Sequence, residues 1–272
     1  MVARGRTTTF LAGLSSVTMQ GVGADRVVMV PLTIEPAQPG EYVRVAGKDY
    51  RGKVEVRRGE TGLVIIDQLS FEEYLGGVVA AELGVSDDPS FEAVKAQAVI
   101  ARTYAVKNLG RNRRQGFDLL ATVSDQRFDG VAGETQVAWR ALAETKGQVV
   151  TYDGAPIEAF FHSTCGGRTA AGKEVFTYAD RPYLRSVSDL DANGQAWCRS
   201  SPRFTWTESW DAAALSASVR RGMRLDAEEA GSVRSIEVTG RSATGRATQL
   251  RVRLRGRDVT IDGSNAVRRA LP

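Results

Sequence analysis

The stretch FEEYLGGVVAAELG, residues 71–84, is where the chain changes its hydrophobic period. Upstream of it, apolar and polar residues alternate in short runs: DRVVMVPLTIE (25–35), EYVRVAG (41–47), GKVEVRRG (52–59) and TGLVIIDQLS (61–70). Alternation bounded by Gly and Pro predicts β-strands. From Phe71 onward the apolar positions Phe71, Leu75, Val78 and Val79 fall three and four residues apart, the spacing of one helix face. Gly84 stops that helix. Working outward, DDPSFEAVKAQAVIARTYAVKNLG (87–110) predicts a second helix with Asp88 as N-cap, Pro89 in the first turn and Gly110 as a left-handed C-cap. Its stripe of Phe91, Val94, Ala98, Ala101 and Ala105 is small enough for another element to pack closely.

GETQVAWRALAETKG (133–147) predicts a third helix, and QVVTYDGAPIEAFFHS (148–163) a β-hairpin turning at Asp153–Gly154. The segment WDAAALSASVRRGM (210–223) reads as a helix. Strands follow in VRSIEVTG (233–240) and ATQLRVRLRGRDVTIDG (247–263), and SNAVRRAL (264–271) reads as a last helical turn. Strands and helices come in blocks rather than in strict alternation. The fold class expected is therefore α+β, with mixed sheets and a few central helices. Residues 1–40 are read as an N-terminal extension with a β-strand, and 41–272 as the main domain.

The chain has 272 residues and 42% hydrophobic residues, enough for a sizeable core. Its formal net charge of +4 is modest, and no Lys/Arg-rich run interleaves with aromatics, so nucleic acid is not expected as a partner. No run approaches the roughly 18–20 apolar residues of a membrane span. The opening MVARGRTTTFLAGLSSVTMQGVGA has the outline of a secretion signal with a weak apolar middle. A single histidine, His162, and two cysteines, Cys165 and Cys198, exclude a closed four-ligand Cys/His zinc site.

Glu82 stands out because it lies on the apolar stripe and near the helix C-terminus. Burial and the helix dipole both disfavour a negative charge there, which suits a general acid. In FFHSTCGGRT (160–169), a strand is expected to end on His162, Ser163 and Thr164 and turn through Cys165, Gly166 and Gly167. Polar groups followed by glycines, which let a ligand approach the backbone, suit a binding site. Cys165 and Cys198 have three readings. They could close a disulfide loop of about 33 residues worth roughly 3–4 kcal/mol, bind zinc together with His162 and a water, or remain free thiols. In SDQRFDG (124–130), Gln126 offers both a donor and an acceptor and Phe128 an apolar face, a combination that suits sugars.

Together these segments resemble the SpoIID/LytB family of sporulation and cell-wall remodelling proteins. The resemblance is carried by YRGKVEV (50–56), VIIDQLSFEEYL (64–75), YLGGVVAAELG (74–84), FEAVKAQAVIARTYAV (91–106), DQRFDG (125–130), the run 141–169 ending in FFHSTCGGRT, PYLRSVSD (182–189), GRATQLRVRLRG (245–256) and NAVRRAL (265–271). It covers residues 40–272. It implies a lytic transglycosylase that cleaves peptidoglycan strands between N-acetylmuramic acid and N-acetylglucosamine, preferring strands free of stem peptides. Glu82 maps onto the catalytic glutamate. Arg102, Tyr104, Gln126, Phe128, His162, Ser163 and Thr164 fall in motifs expected to contact substrate, and the backbone N–H groups of Gly166–Gly167 with the Gln126 side chain are expected to hold the developing oxocarbenium geometry. No cofactor is required, although zinc accompanies some members, here at His162, Cys165 and Cys198. Other relatives enhance a cell-wall amidase, so that enzyme is an alternative partner. An extracytoplasmic location follows, with a signal or anchor that is weak or upstream of this chain. Two departures bear on the site: Phe128 stands where tyrosine is frequent, and Cys165 where serine is.

Overall fold

A computed structural model describes residues 9–12, 16–20, 26–60, 62–84, 90–176, 178–224 and 232–271. The chain separates into two compact units, residues 1–161 and 162–272. The mixed small sheets and several helices make the fold α+β.

The first unit begins with an antiparallel sheet of β1 (Thr9–Ala12), β2 (Ser16–Gln20) and β3 (Arg26–Met29). The run 25–35, read as one strand, is two. β3 pairs with β2, whereas β4 (Leu32–Ile34) pairs with a different strand, β7 (Lys53–Arg58). Pro31, which lies between them, has no N–H to donate to a ladder. The described residues among the first forty thus carry four strands rather than one. β5 (Val43–Val45) and β6 (Lys48–Tyr50) form a hairpin, and β8 (Leu63–Gln68) completes the order β4-β7-β8. Alternation in KVEVR sends Val54 and Val56 inward, where they pack with Val43 and Val45.

Helix α1 (Phe71–Leu83) opens with a capping box. Ser70 Oγ accepts from the Glu73 N–H at 3.4 Å, and the Glu73 carboxylate accepts from the Ser70 N–H at 3.0 Å. Gly84 closes the helix at φ 65°, its N–H donating to the Ala80 carbonyl. α2 (Phe91–Asn108) has Ser90 at its N-cap position without a side-chain capping bond, and the expected Asp88 and Pro89 lie outside the described residues. α3 (Gln136–Glu144) starts at Thr135, whose side chain accepts from the Ala138 N–H. Leu75, Val78 and Val79 of α1, Val94, Ala98 and Ala101 of α2, and Ala138, Ala141 and Leu142 of α3 make one core.

The glycine pair in LGGVV has a packing reason. A Cβ on Gly76 would lie 2.5 Å from the Trp139 ring, and one on Gly77 would lie 2.5 Å from the Phe128 ring. Both are closer than van der Waals contact allows, so α1 is bare where α3 and the 122–130 loop press on it. After β9 (Thr151–Tyr152) and β10 (Ala155–Pro156) the hairpin ends early. The Phe160 N–H donates to the Glu158 carbonyl in a tight turn, so no strand reaches His162.

Asp67 on β8 breaks a rule of the interior. Both of its carboxylate oxygens are shut off from water, and neither has a hydrogen-bond partner among the described residues. Burial, reinforced by the nearby Glu73 charge, pushes its carboxyl up to about 7. The folded carboxyl thus holds its proton in a range where the unfolded one has lost it, so stability falls as pH rises from about 4 to 7 and stays low above that. Asp67→Asn, an uncharged near-isostere, is expected to match wild type at pH 4.5 and to exceed it at pH 8 by roughly 1–3 kcal/mol. Thermal unfolding at the two pH values checks this. A variant no more stable at pH 8 would show that the carboxylate finds solvent.

In the second unit, β11 (Val233–Arg241), β12 (Ala247–Leu254) and β13 (Asp258–Asp262) form an antiparallel sheet. Leu250, Val252 and Leu254 point to one face and pack with Val219 of α5 (Ala212–Met223) and with Val267 and Ala270 of α6 (Ser264–Ala270). Arg251 and Arg253 point to the other, exposed face. Among the described residues, 162–211 are mostly irregular, with the single turn α4 (Gly172–Val175), a 3₁₀ turn at Trp197–Ser200 and isolated bridges between Arg168 and Ser188 and between Leu190 and Ala196. Among the described residues, no helix is long and apolar enough to cross a membrane.

Candidate functional site

Glu82 sits in the last turn of α1, at the edge of the core rather than within it, half-buried. Its Oε1 accepts the Arg127 backbone N–H at 2.5 Å. That donor belongs to the loop 122–130, which is itself anchored at successive residues. Asp125 Oδ1 accepts from the Tyr104 hydroxyl at 2.9 Å and from Arg111 at 2.8 Å, and Asp125 Oδ2 accepts from the Leu120 N–H at 2.8 Å. Gln126 is fully buried: its Oε1 accepts from the Tyr74 hydroxyl at 3.2 Å, and its Nε2 donates to the Ala101 carbonyl at 3.3 Å. Phe128 is buried and stacks on Tyr74 with ring centroids 5.4 Å apart. Arg127 pairs with Asp129 at 2.7 Å, and Asp129 also takes Lys48 at 3.3 Å. Burial pushes the Tyr74 phenol up, and burial followed by the Asp125 hydrogen bond pushes Tyr104 up to about 12, so both remain neutral donors.

The loop is therefore a clamp whose product is the position of the Glu82 carboxylate. Asp125 and Asp129 of the loop are occupied by the partners just named, whereas one oxygen of Glu82 has no partner among the described residues. Gln126 and Phe128, expected to touch sugar, have their side chains spent on α1 and α2 and act as braces. Arg102 is likewise internal, 2% exposed. It forks onto the Glu72 carboxylate with two bonds of 3.0 Å and reaches Thr145 Oγ1, the Gln148 carbonyl and the Leu142 carbonyl at 3.3–3.4 Å. It ties α1 to α3 through α2. Tyr104 touches the loop rather than open space.

Replacing Asp125 with Ala is expected to release the loop from Tyr104, Arg111 and Leu120 while leaving the Gln126–Ala101 bond and the α1–α2–α3 core intact. If Glu82 is a catalytic acid, turnover is expected to fall by about ten- to a hundred-fold, because the Arg127 N–H is then held less firmly against it. Parallel measurement of turnover and unfolding temperature separates this from simple destabilisation. Unchanged turnover would remove Asp125 from the site's support.

His162, Ser163, Thr164, Cys165, Gly166, Gly167 and Cys198 belong to the second unit. His162 and Ser163 are exposed. Thr164 Oγ1 lies 2.6 Å from Ser201 Oγ, which pins the loop to the segment after the 3₁₀ turn. Gly166 and Gly167 adopt φ 76° and 91°, a path open to glycine. Gly167 is buried, and its carbonyl accepts from the Asp189 N–H at 3.0 Å. Arg246 clasps the turn from β12's side of the unit, donating to the Cys165 and Arg168 carbonyls at 2.9 Å each.

The cysteines are free thiols with Sγ atoms 3.7 Å apart, beyond the roughly 2.05 Å of a disulfide. The Cys165 thiol donates to Asp189 Oδ2 at 3.0 Å, and burial followed by this bond pushes it up to about 11. Burial also pushes the Cys198 thiol up, but the backbone N–H groups of Cys165, Gly167 and Gly166 outweigh it and hold that thiol below its usual range. Cys165, Asp189 and Cys198 place three ligand atoms within 4.8 Å of one another. His162, expected as the third ligand, is not in this group: it precedes the turn, and Asp189 is brought in through the Gly167–Asp189 backbone bond. Two thiols and one carboxylate with an open position suit a zinc-type ion. Asp189 was visible only as the last residue of PYLRSVSD, with nothing in its spacing to link it to cysteines on either side.

Residues 59–152 match the family model described as Stage II sporulation protein. The chain is similar to Stage II sporulation protein D of Bacillus subtilis (strain 168), 33% identical over 180 residues, which is 61% of this chain and 49% of that protein. It is 32% identical over 133 residues to the Amidase enhancer of the same organism, covering 49% of this chain and 16% of that protein. An uncharacterized protein of Brachyspira hyodysenteriae is 32% identical over 150 residues, 55% of this chain and 40% of its own length. The chain thus spans about half or less of these relatives. No solved structure matches. The clamp and the acid it holds both fall within the stretch that matches the Stage II sporulation protein model.

Proposed function

We propose that the protein is a peptidoglycan lytic transglycosylase acting outside the cytoplasm on glycan strands, preferentially those free of stem peptides, with Glu82 as its acid and base. The observation that carries this reading is the placing of Glu82 among the described residues: one oxygen is fixed by the Arg127 N–H, the other has no partner among those residues, and the carboxylates of the loop, Asp125 and Asp129, are already paired. A hydrolytic glycosidase needs a second carboxylate to attack the sugar or activate water. Lytic cleavage needs only one. Protonated Glu82 donates to the glycosidic oxygen as the C1–O bond breaks. The C6 hydroxyl of the same N-acetylmuramic acid attacks C1, and the Glu82 carboxylate accepts the hydroxyl proton. The product has a 1,6-anhydro end, and the enzyme returns to its protonated form. The nucleophile is tethered to the reacting ring, so its effective concentration is high.

Zinc is not required by this scheme. An ion held by Cys165, Asp189 and Cys198 would brace the turn after Thr164. Incubating the protein with peptide-free strands and weighing the fragments tests the reading. Ends lighter by one water than hydrolysed fragments support it.

The similarity to an amidase enhancer favours a second reading: a non-catalytic peptidoglycan-binding module that stimulates a cell-wall amidase. On that reading the strands are bound but remain uncut, and a co-incubated amidase is stimulated equally by wild type and Glu82→Gln.

A further inference from the structure

Three of the four tryptophans fall within fourteen residues of the second unit: Trp197, Trp206 and Trp210. Trp197 is 66% exposed and Trp206 68%, and Phe204 and Trp210 are exposed as well. None belongs to the unit's core cluster, which Val219, Leu250, Val252, Ile261 and Val267 fill without them. An indole is among the largest apolar surfaces a chain can bury, so several left in water on one segment mark a surface that meets something.

The segment is continuous with the His162–Gly167 turn. Ser201 lies between Trp197 and Phe204 and bonds to Thr164 at 2.6 Å, and Cys198, next to Trp197, lies 3.7 Å from Cys165. Arg203 is exposed, and its guanidinium has no hydrogen bond or ion pair among the described residues. Flat aromatic rings stack on the C–H faces of pyranose rings. A free guanidinium among them suits a ligand that also carries carboxylates, and a peptide-free wall strand presents one lactyl carboxylate on every second sugar. A protein partner would be matched by a broader apolar face, whereas this segment intersperses its rings with Arg199, Arg203, Thr205, Thr207 and Glu208.

We infer that residues 197–210 form a carbohydrate-docking strip, in which the Trp197 and Trp206 rings stack on sugar rings and Arg203 meets a lactyl carboxylate. The inference rests on the glycan reading proposed above and adds the residues that hold the strand.

The test uses the full chain carrying Glu82→Gln, so that bound strands stay whole. It is titrated with purified peptide-free glycan strands and, separately, with chitin oligosaccharides, which lack the carboxylate. Calorimetry gives affinity, and tryptophan emission reports the strip. Trp197→Ala and Trp206→Ala are each expected to weaken strand binding about ten-fold or more. Trp206→Phe, which keeps an aromatic face, should retain most of the affinity and controls for misfolding. Chitin oligosaccharides should bind more weakly than strands, and Arg203→Ala should erase that difference.

If wild type cleaves strands and the Trp→Ala variants bind as tightly as their parent, the strip is wrong and the proposed chemistry stands. Trp-dependent binding without cleavage by wild type keeps the strip and favours the non-catalytic reading. A wild-type dimer that Trp206→Ala abolishes would assign these rings to self-association and overturn the strip.

Discussion

Glu82→Gln is expected to abolish strand cleavage, by on the order of 10³-fold or more, while leaving the fold unchanged. The carbonyl oxygen of the new amide can still accept the Arg127 N–H, so the loop 122–130 keeps its hold on the end of α1. The side chain remains at the edge of the core, where no buried partner is lost. What disappears is the proton that must reach the leaving oxygen and the base that must later take one from the C6 hydroxyl. The check is turnover on peptide-free strands together with the unfolding temperature. Equal turnover by variant and wild type would remove Glu82 from the chemistry, whereas a collapse in unfolding temperature would make the carboxylate structural.

The largest loss of stability is expected from Arg102→Met. The guanidinium is almost fully buried and satisfies five acceptors: both oxygens of Glu72, Thr145 Oγ1, and the carbonyls of Leu142 in α3 and of Gln148 just beyond it. Methionine fills a similar volume but donates nothing, leaving these acceptors without their partner. Breaking a buried ionic network from one side costs about 3–5 kcal/mol, and the lower end applies because Glu72 is partly exposed. For a unit of this size, that lowers the unfolding temperature by roughly 10 °C. Arg102→Lys should recover little, since an ammonium cannot fork onto Glu72 and also reach α3. Chemical denaturation of the three proteins measures the difference. A loss below about 1 kcal/mol would mean that the network is not what joins these helices.

The architecture around Glu82 was legible because local signals agreed. The stripe Phe71, Leu75, Val78 and Val79 packs as its spacing predicts, and Gly84 ends α1 in the left-handed conformation. The Asp153–Gly154 turn forms between two strands, with both residues at positive φ. What the sequence hid were contacts between distant segments. The Arg127 N–H that holds Glu82 lies 45 residues away, and a backbone donor leaves no trace in residue type. Gln126 reads as an exposed loop residue, and only the packing of the loop onto α1 and α2 shows its amide to be buried. Asp189 joins Cys165 and Cys198 because the irregular chain of 162–200 folds back on itself, which no periodicity records. Asp67 sits in an apolar strand, LVIIDQ, with no sequence neighbour that would announce its missing partner.

The most direct test of the central claim is to run the wild-type reaction on peptide-free strands in H₂¹⁸O and read the new ends by mass. Intramolecular attack by the C6 hydroxyl gives 1,6-anhydro ends that carry no ¹⁸O, and this is the predicted result. New reducing ends carrying ¹⁸O would show that water is the nucleophile, and would contradict a single-carboxylate mechanism centred on Glu82.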